Sequence, residues 1–140
     1  MNVCSSELVL ETTGRTDMVD ITDAVRDRLQ ESGVVNGGVI VFVPGSTGAL
    51  TTIEYESGVL NDLARAIETL APEGQTYEHD RRWGDGNGYS HVRAALLKPS
   101  LAVPVMEGRM SLGTWQQIVL LDFDNRPRHR RVVVQVIGER

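Results

Sequence analysis

The run from Val39 to Val43 constrains the fold most, because all five residues are apolar and four of them are β-branched. Pro44 and Gly45 end the run, so it has the length of a strand. A continuous apolar run of this kind indicates a strand that is buried on both faces. No window of the chain approaches the roughly 20 apolar residues of a spanning helix, so we expect no membrane segment.

Two amphipathic helices are predicted, over Asp20–Gln30 and Gly58–Leu70. In each of them the apolar residues recur at helical spacing, and a glycine or a proline follows shortly after the last apolar residue. Asp20 or Thr22 is the candidate cap of the first helix, and Ser57 is the candidate cap of the second. Both helices therefore have one face suited to packing on a sheet.

The remaining apolar segments are predicted to be short strands. They lie at Ser6–Thr12, Ala49–Tyr55, Leu101–Val105, Gln116–Phe123 and Arg131–Ile137. The last two should pair as antiparallel neighbours, because only a short polar turn separates them. Glu73–Ser90 is predicted to be a long loop and His91–Leu97 a short helix. We expect one α+β domain over residues 1–140, with a mixed or mostly antiparallel sheet and the two main helices on one side.

Charge and cysteine content exclude several classes of protein. The formal net charge of -5 disfavours nucleic acid as a partner, because no broad basic surface is expected. Cys4 is the single cysteine and has no partner for an intramolecular disulfide. Met1–Glu11 lacks the basic start and apolar run of a signal peptide, so we expect a cytoplasmic protein.

A Gly/Ser/Thr segment between two predicted strands, Pro44–Thr51, suits an anionic oxygen such as a phosphate oxygen. Glycines allow backbone amides to turn inward, and Ser46 and Thr47 supply hydroxyl groups. Loops of this composition are also common as simple turns. Glu54 follows at the end of the next predicted strand, either as a cation ligand or base or as a solvent-facing carboxylate.

The segments Tyr77–Asp80 and Asp85–His91 gather two of the three histidines with several carboxylates. His79 and His91 are 12 residues apart on a segment rich in glycine, which allows both rings to reach one metal or substrate. Asp80 is adjacent to the first of them. The same residues also suit a hydrogen-bonded loop scaffold with no chemical role.

Two further segments carry distinctive side chains. Gly108 is predicted to mark a hairpin turn, and Trp115 and Gln116 follow it. The tryptophan is most simply a core or interface anchor. The basic cluster Arg126–Arg131 lies in a predicted turn, so we interpret it as solvated.

Seven segments, in this order within residues 36–139, resemble the signature of the YjbQ-like family, whose members are usually labelled secondary thiamine-phosphate synthases. They are Val41–Thr51, Glu54, His79–Asp80, Gly88–His91, Pro99–Pro104, Glu107–Arg109 and Gly113–Gln116. The spacing within Pro99–Gln116 is the most specific part of the resemblance.

The resemblance implies an α+β fold that assembles as a homotrimer with a polar pocket near the subunit interface. It implies catalytic roles for His79, Asp80 and His91, and a divalent metal, Mg²⁺ or Zn²⁺, on His79 and His91. The implied substrate contacts are Ser46, Thr47, Glu54, Asn87, Trp115 and Gln116. Many members carry a histidine where this sequence has Gly45, so the resemblance predicts a reduced site that keeps His91.

The family label implies that a pyrimidine-methyl pyrophosphate is joined to a thiazole phosphate, with release of pyrophosphate. Such a reaction needs the charge of the leaving group to be stabilised by amides, hydroxyls or a cation. Two alternatives stay open at this point. One is a metal-assisted hydrolase or phosphatase, and the other is a non-catalytic trimeric binder of a phosphorylated metabolite.

Overall fold

Eight strands and four helices make up the chain, and the structure, a computed structural model, describes all of residues 1–140. The strands are β1 (Asn2–Thr12), β2 (Asp17–Asp20), β3 (Asn36–Phe42), β4 (Gly48–Ile53), β5 (Ser100–Met106), β6 (Arg109–Met110), β7 (Gln117–Asp122) and β8 (Arg128–Glu139). The helices are α1 (Thr22–Ser32), α2 (Ser57–Leu70), α3 (Glu78–Trp83) and α4 (Gly88–Leu97).

The strands form two sheets in which every pair is antiparallel. The larger sheet has the order β1-β8-β3-β5-β6, and the smaller sheet has the order β2-β7-β4. The main core lies between the sheets and also takes in α1 through Val25 and Leu29. A second core lies on the other side of the smaller sheet, where Ile67 of α2 and Ala94 of α4 pack.

The central strand β7 is buried on both faces, and its residues alternate between the two cores. Ile118 and Leu120 enter the main core, whereas Val119, Leu121 and the following Phe123 enter the second. This division follows from the two-residue period of a strand. It explains why the segment is apolar at almost every position.

The α+β class is confirmed, but three details of the predicted arrangement are wrong. The chain forms two antiparallel sheets instead of one, and α1 and α2 lie in different cores, so the main helices do not share one side. Gln116–Phe123 and Arg131–Ile137 do not pair. β7 needs cover on both faces and lies in the smaller sheet, whereas β8 buries alternate residues and lies in the larger one.

The run Val39–Val43 is not buried on both faces. Val39, Val41 and Val43 are in the main core, but Ile40 is 40% exposed and Phe42 is 41% exposed on the outer face of the larger sheet. Apolar composition alone does not distinguish a strand covered by its own chain from one with an apolar face left open.

The helix ends differ from the prediction in how they are capped. α1 ends at Gly33, the predicted terminator of this helix, and Gly33 adopts a left-handed conformation with φ of 70°. α2 is capped by the carboxylate of Glu56 and not by Ser57. That carboxylate accepts hydrogen bonds from the amides of Gly58 and Val59, which lower the pKa of Glu56. None of the four helices is long and apolar enough to cross a membrane.

Candidate functional site

The two histidines that the sequence singles out are brought together. His79 lies on α3 and His91 lies on α4, and their ring centroids are 4.4 Å apart with the planes tilted by 40°. The predicted long loop therefore contains two helices, one complete and one beginning at Gly88. The short connection between α3 and α4 therefore brings the two imidazoles into contact.

Two carboxylates flank His79. Its Nδ1 atom is 3.4 Å from Oδ1 of Asp85 and 3.7 Å from Oδ1 of Asp80. This nitrogen is buried and makes no hydrogen bond in the structure. One donor atom from each of these three residues lies within 4.8 Å of the other two. An imidazole nitrogen with two carboxylate oxygens is a donor set that suits a divalent cation, and the orphaned nitrogen fits such a ligand.

Contacts made by the side chains of Asp80 and Tyr77 hold α3 in place against the start of α4. Oδ1 of Asp80 accepts a hydrogen bond of 2.8 Å from the amide of Gly88. Gly88 packs so closely on Tyr77 that an added Cβ would lie 2.5 Å from the Cβ of Tyr77. The Tyr77 hydroxyl donates to the carbonyl of Pro72. α3 has no buried residue, so these contacts, and not a core, position His79.

A shallow depression of about 310 Å³ lies beside His91. Gly45, Ser46 and Gly48 of the Gly/Ser/Thr loop line it, opposite His91 and Ala94 of α4. Ser46 is exposed, so its hydroxyl is free to bind a ligand. The loop and His91, far apart in sequence, therefore share one concave surface.

Thr47 does not face this depression, because its hydroxyl belongs to a buried polar network. That hydroxyl donates to Oδ2 of Asp124 over 3.0 Å and accepts from Nη2 of Arg130 over 2.6 Å. Nε and Nη2 of Arg130 also donate to the two carboxylate oxygens of Asp122, over 2.7 and 2.8 Å. The hydroxyl of Thr12 donates to the same carboxylate. We name these five residues, Thr12, Thr47, Asp122, Asp124 and Arg130, the buried network.

Opposing effects act on the charge of Asp122. Burial raises the pKa of Asp122, but hydrogen bonds from Arg130, Thr12 and the amide of Asp124, with the charge of Arg130, outweigh it. The net effect lowers the pKa of Asp122 below its ordinary value. Asp122 is therefore a carboxylate paired with a guanidinium directly beneath the Gly/Ser/Thr loop.

The sequence did not single out Arg130, which it placed in a solvated turn. The side chain is 5% exposed. The sequence did contain an indication that Arg130 is buried. Arg130 follows the same two-residue alternation as Val132, Val134 and Val136, which all point into the main core. Asp85 was also not among the predicted site residues.

Asn87 has a structural role. It is buried, and its side-chain oxygen accepts hydrogen bonds from the hydroxyl of Ser90 and the amide of Asn125. These contacts join the start of α4 to the turn after β7.

The other predicted substrate contacts lie at the opposite end of the smaller sheet. Glu54 follows β4 and is exposed, and Trp115 is 72% exposed. The side chain of Gln116 donates to the hydroxyl of Thr52 and accepts from the amide of Gly113. Since β4 runs from Gly48 to Ile53, the two ends are about 17 Å apart at the rise of a strand. Within one copy of the chain, these residues do not join the histidines.

The largest cavity, of about 420 Å³, also lies at this second end. Arg26, Arg109 and Gln116 are among the residues that line it. No histidine lines it, and the one carboxylate that contacts Arg26 is the exposed Asp23 of the same helix. The size of a cavity therefore does not identify the site. The histidine end has the larger number of acid–base and metal-binding side chains.

Comparison with known proteins identifies the family. Residues 6–139 match the model of the family described as UPF0047 protein YjbQ-like. A UPF0047 protein of Archaeoglobus fulgidus is 45% identical, over 94% of this chain and 99% of that protein. A UPF0047 protein of Methanothermobacter thermautotrophicus is 42% identical, over 99% of this chain and 95% of that protein.

Solved structures agree with this match. The crystal structure of a YbjQ-like protein of unknown function from Sulfolobus solfataricus has a TM-score of 0.93 and 31% identity, and the match covers 99% of each chain. A hypothetical protein from Aeropyrum pernix has a TM-score of 0.89 and 32% identity, over 96% of this chain and 98% of that one. Sequence and fold coincide over nearly the whole length, and this chain therefore belongs to the UPF0047, YjbQ-like family.

Proposed function

We propose that this protein is an enzyme that acts on a small phosphorylated metabolite, and that thiamine-phosphate formation is the reaction it catalyses. The observation that carries the proposal is the contact between His79 and His91, with Asp80 and Asp85 beside one ring and the Ser46 depression beside the other. A pair of histidine rings in contact, with flanking carboxylates at the edge of a concave surface, has the features of a catalytic centre.

The proposed reaction forms a bond between the pyrimidine methylene carbon and the thiazole nitrogen while pyrophosphate leaves. Little covalent help from the protein is needed, but the departing charge must be stabilised. The hydroxyl of Ser46 and a ring N–H of His91 would bind anionic oxygens in the depression. Asp80, Asp85 and His79 would hold a divalent cation, which supplies further charge stabilisation when it is bound. Thr47 has no direct part, because its hydroxyl is occupied in the buried network.

Removal of either ring of the histidine pair is expected to lower kcat/KM for thiamine-phosphate formation by about 100-fold, the lower range for a positioned acid–base group. The assay uses the two synthetic precursors with Mg²⁺ and compares His79→Ala and His91→Ala with the unchanged protein. His129→Ala is the matched control, because the third histidine is exposed and contacts Glu11 on the larger sheet. Circular dichroism verifies that each variant is folded. Equal turnover by all four proteins would remove the histidine pair from the mechanism.

A metal-assisted hydrolase is the second candidate, and the buried Nδ1 of His79 without a hydrogen bond favours it. It predicts a stoichiometric transition metal after purification or reconstitution with Zn²⁺, and loss of that metal in His79→Ala. Hydrolysis of a phosphate monoester would then accompany metal binding. Saturable binding of a phosphorylated metabolite without turnover of any substrate would favour the third alternative, a non-catalytic binder.

We also propose that the chain assembles as a homotrimer through the outer face of the larger sheet. Ile40 and Phe42 are exposed there, and on β8 Val133 lies beside Phe42 while Gln135 lies beside Ile40. An open sheet face normally carries polar residues, so an apolar one indicates a partner surface. The two separated groups of site residues support a second copy as the partner, because it can bring Glu54 and Gln116 to the histidine end.

Phe42→Asp is expected to convert the trimer to monomers, because a carboxylate on this face would be buried without a partner. Size-exclusion chromatography with light scattering measures the mass directly. Leu70→Asp is the control, since Leu70 is exposed at the end of α2, away from the larger sheet. A monomeric unchanged protein, or a Phe42→Asp protein that stays trimeric, would refute this interface.

A further inference from the structure

One nitrogen of the buried Arg130 has no partner. Nε and Nη2 are occupied by Asp122 and Thr47, and Nη1 takes part in none of these hydrogen bonds. The fully buried side-chain atoms without a hydrogen-bond partner are Arg28 Nε, His79 Nδ1, Tyr89 OH and Asp124 Oδ1. Nη1 of Arg130 is not one of them, so it keeps contact with solvent although the side chain is 5% exposed.

Gly45 leaves the space beside Nη1 of Arg130 unfilled by a side chain. A Cβ at position 45 would lie 3.3 Å from Nη1, closer than an ordinary van der Waals contact. Gly45 also has φ of +112°, a conformation that favours glycine. Gly45 and Ser46 line the depression opposite His91, and Nη1 lies against the open Cβ position of Gly45.

The local charge suits an anion. The charge of Arg130 is paired with that of Asp122. Asp124, the second aspartate of the network, has Oδ2 at 3.5 Å from Nη1 of Arg128 and Oδ1 at 4.0 Å from Nε of Arg126. Three arginines therefore surround two aspartates, and one positive charge is left over. A guanidinium with one free edge held rigidly by a carboxylate is preorganised to donate to an anionic oxygen.

We propose that Nη1 of Arg130, reached past Gly45, and the hydroxyl of Ser46 form an oxyanion subsite for a terminal phosphoryl group. This subsite deepens the proposed function and rests on it, because it names the groups that hold the phosphoryl end of the substrate. His91 closes the subsite from α4. The buried network is then more than a support for the loop, since it fixes the direction in which the free N–H groups point.

The experiment measures pyrophosphate and inorganic phosphate binding by isothermal titration calorimetry, for the unchanged protein, Gly45→Ala and Gly108→Ala. The added methyl group in Gly45→Ala covers Nη1, so we expect at least a tenfold rise in Kd for pyrophosphate. Gly108→Ala is matched to it, because Gly108 also has a positive φ, of +75°, but an added Cβ there meets nothing within 4 Å. Its Kd should stay within about twofold of the unchanged protein, although this variant also places an alanine at a positive φ.

A second measurement needs no variant in the loop. In protein labelled with ¹⁵N-arginine, the side-chain Nε–H signal of Arg130 should shift on addition of pyrophosphate and not on addition of sodium chloride. Equal binding by Gly45→Ala and the unchanged protein, or no binding of either anion, would overturn the subsite. The proposed enzyme activity is judged separately by the histidine variants, so a failed subsite with an intact histidine effect points to a phosphoryl contact elsewhere.

Discussion

Replacing Arg130 with methionine is expected to lower the free energy of unfolding by about 3–5 kcal/mol, the range for breaking a buried ion pair by removal of one partner. Asp122 is fully buried and receives two hydrogen bonds from the guanidinium, so the variant leaves its charge without compensation. The Thr47 hydroxyl loses a donor as well. Urea unfolding followed by circular dichroism at neutral pH measures the change.

Arg131→Met is the matched control for this variant. Arg131 is the next residue in β8, its side chain is 62% exposed, and its nearest carboxylate oxygen, on Glu7, is 3.7 Å away. A surface pair of this kind contributes about 0–1 kcal/mol, so the control should remain near the stability of the unchanged protein. Combining Arg130→Met with Asp122→Asn should recover part of the loss, because the double variant no longer buries an unpaired charge. Equal effects at positions 130 and 131 would contradict the ion-pair explanation.

Phe123→Ala is expected to lower the free energy of unfolding by about 3–5 kcal/mol, the range for truncating a buried phenylalanine. Phe123 has no solvent exposure, and it fills the second core beside Ile67 of α2 and Ala94 of α4. Its truncation leaves a cavity at the point where α4 rests on the smaller sheet. Thermal and urea unfolding both measure the effect.

Trp83→Ala is the control for the loss of a large aromatic ring, since Trp83 is 66% exposed at the end of α3. Surface substitutions of this kind change stability by about 0.5 kcal/mol or less. Burial of Phe123 indicates that the second core depends on it. Similar losses of stability in the two variants would contradict this.

The sequence predicted most elements because their signals are local. The α1 segment has apolar residues at helical spacing before Gly33, and the run Val39–Val43 has the composition of a strand. The sheet to which each strand belongs depends on long-range contacts. Gln116–Phe123 and Arg131–Ile137 have the signature of a hairpin, yet the turn between them carries the chain from one sheet to the other.

The candidate site was predicted in part for the same reason. His79 and His91 are close in sequence and three glycines lie between them, so local sequence already indicated that they could converge. Ser46 and Thr47 are adjacent, but Ser46 is exposed whereas Thr47 is buried and hydrogen-bonded to Asp124. No local sequence pattern distinguishes these two environments. Arg130 was overlooked because its basic neighbours suggested a solvated turn, although its phase in β8 placed it in the interior.

Helices α3 and α4 differ in how firmly they are tied to the rest of the molecule, with a consequence for native-state fluctuations. α4 shares the second core with β7 and has five buried residues, so its release disrupts that core. α3 has no buried residue and can separate at a much smaller free energy. His91 therefore belongs to the more firmly held helix, whereas His79 and Asp80 belong to a unit that can unfold locally.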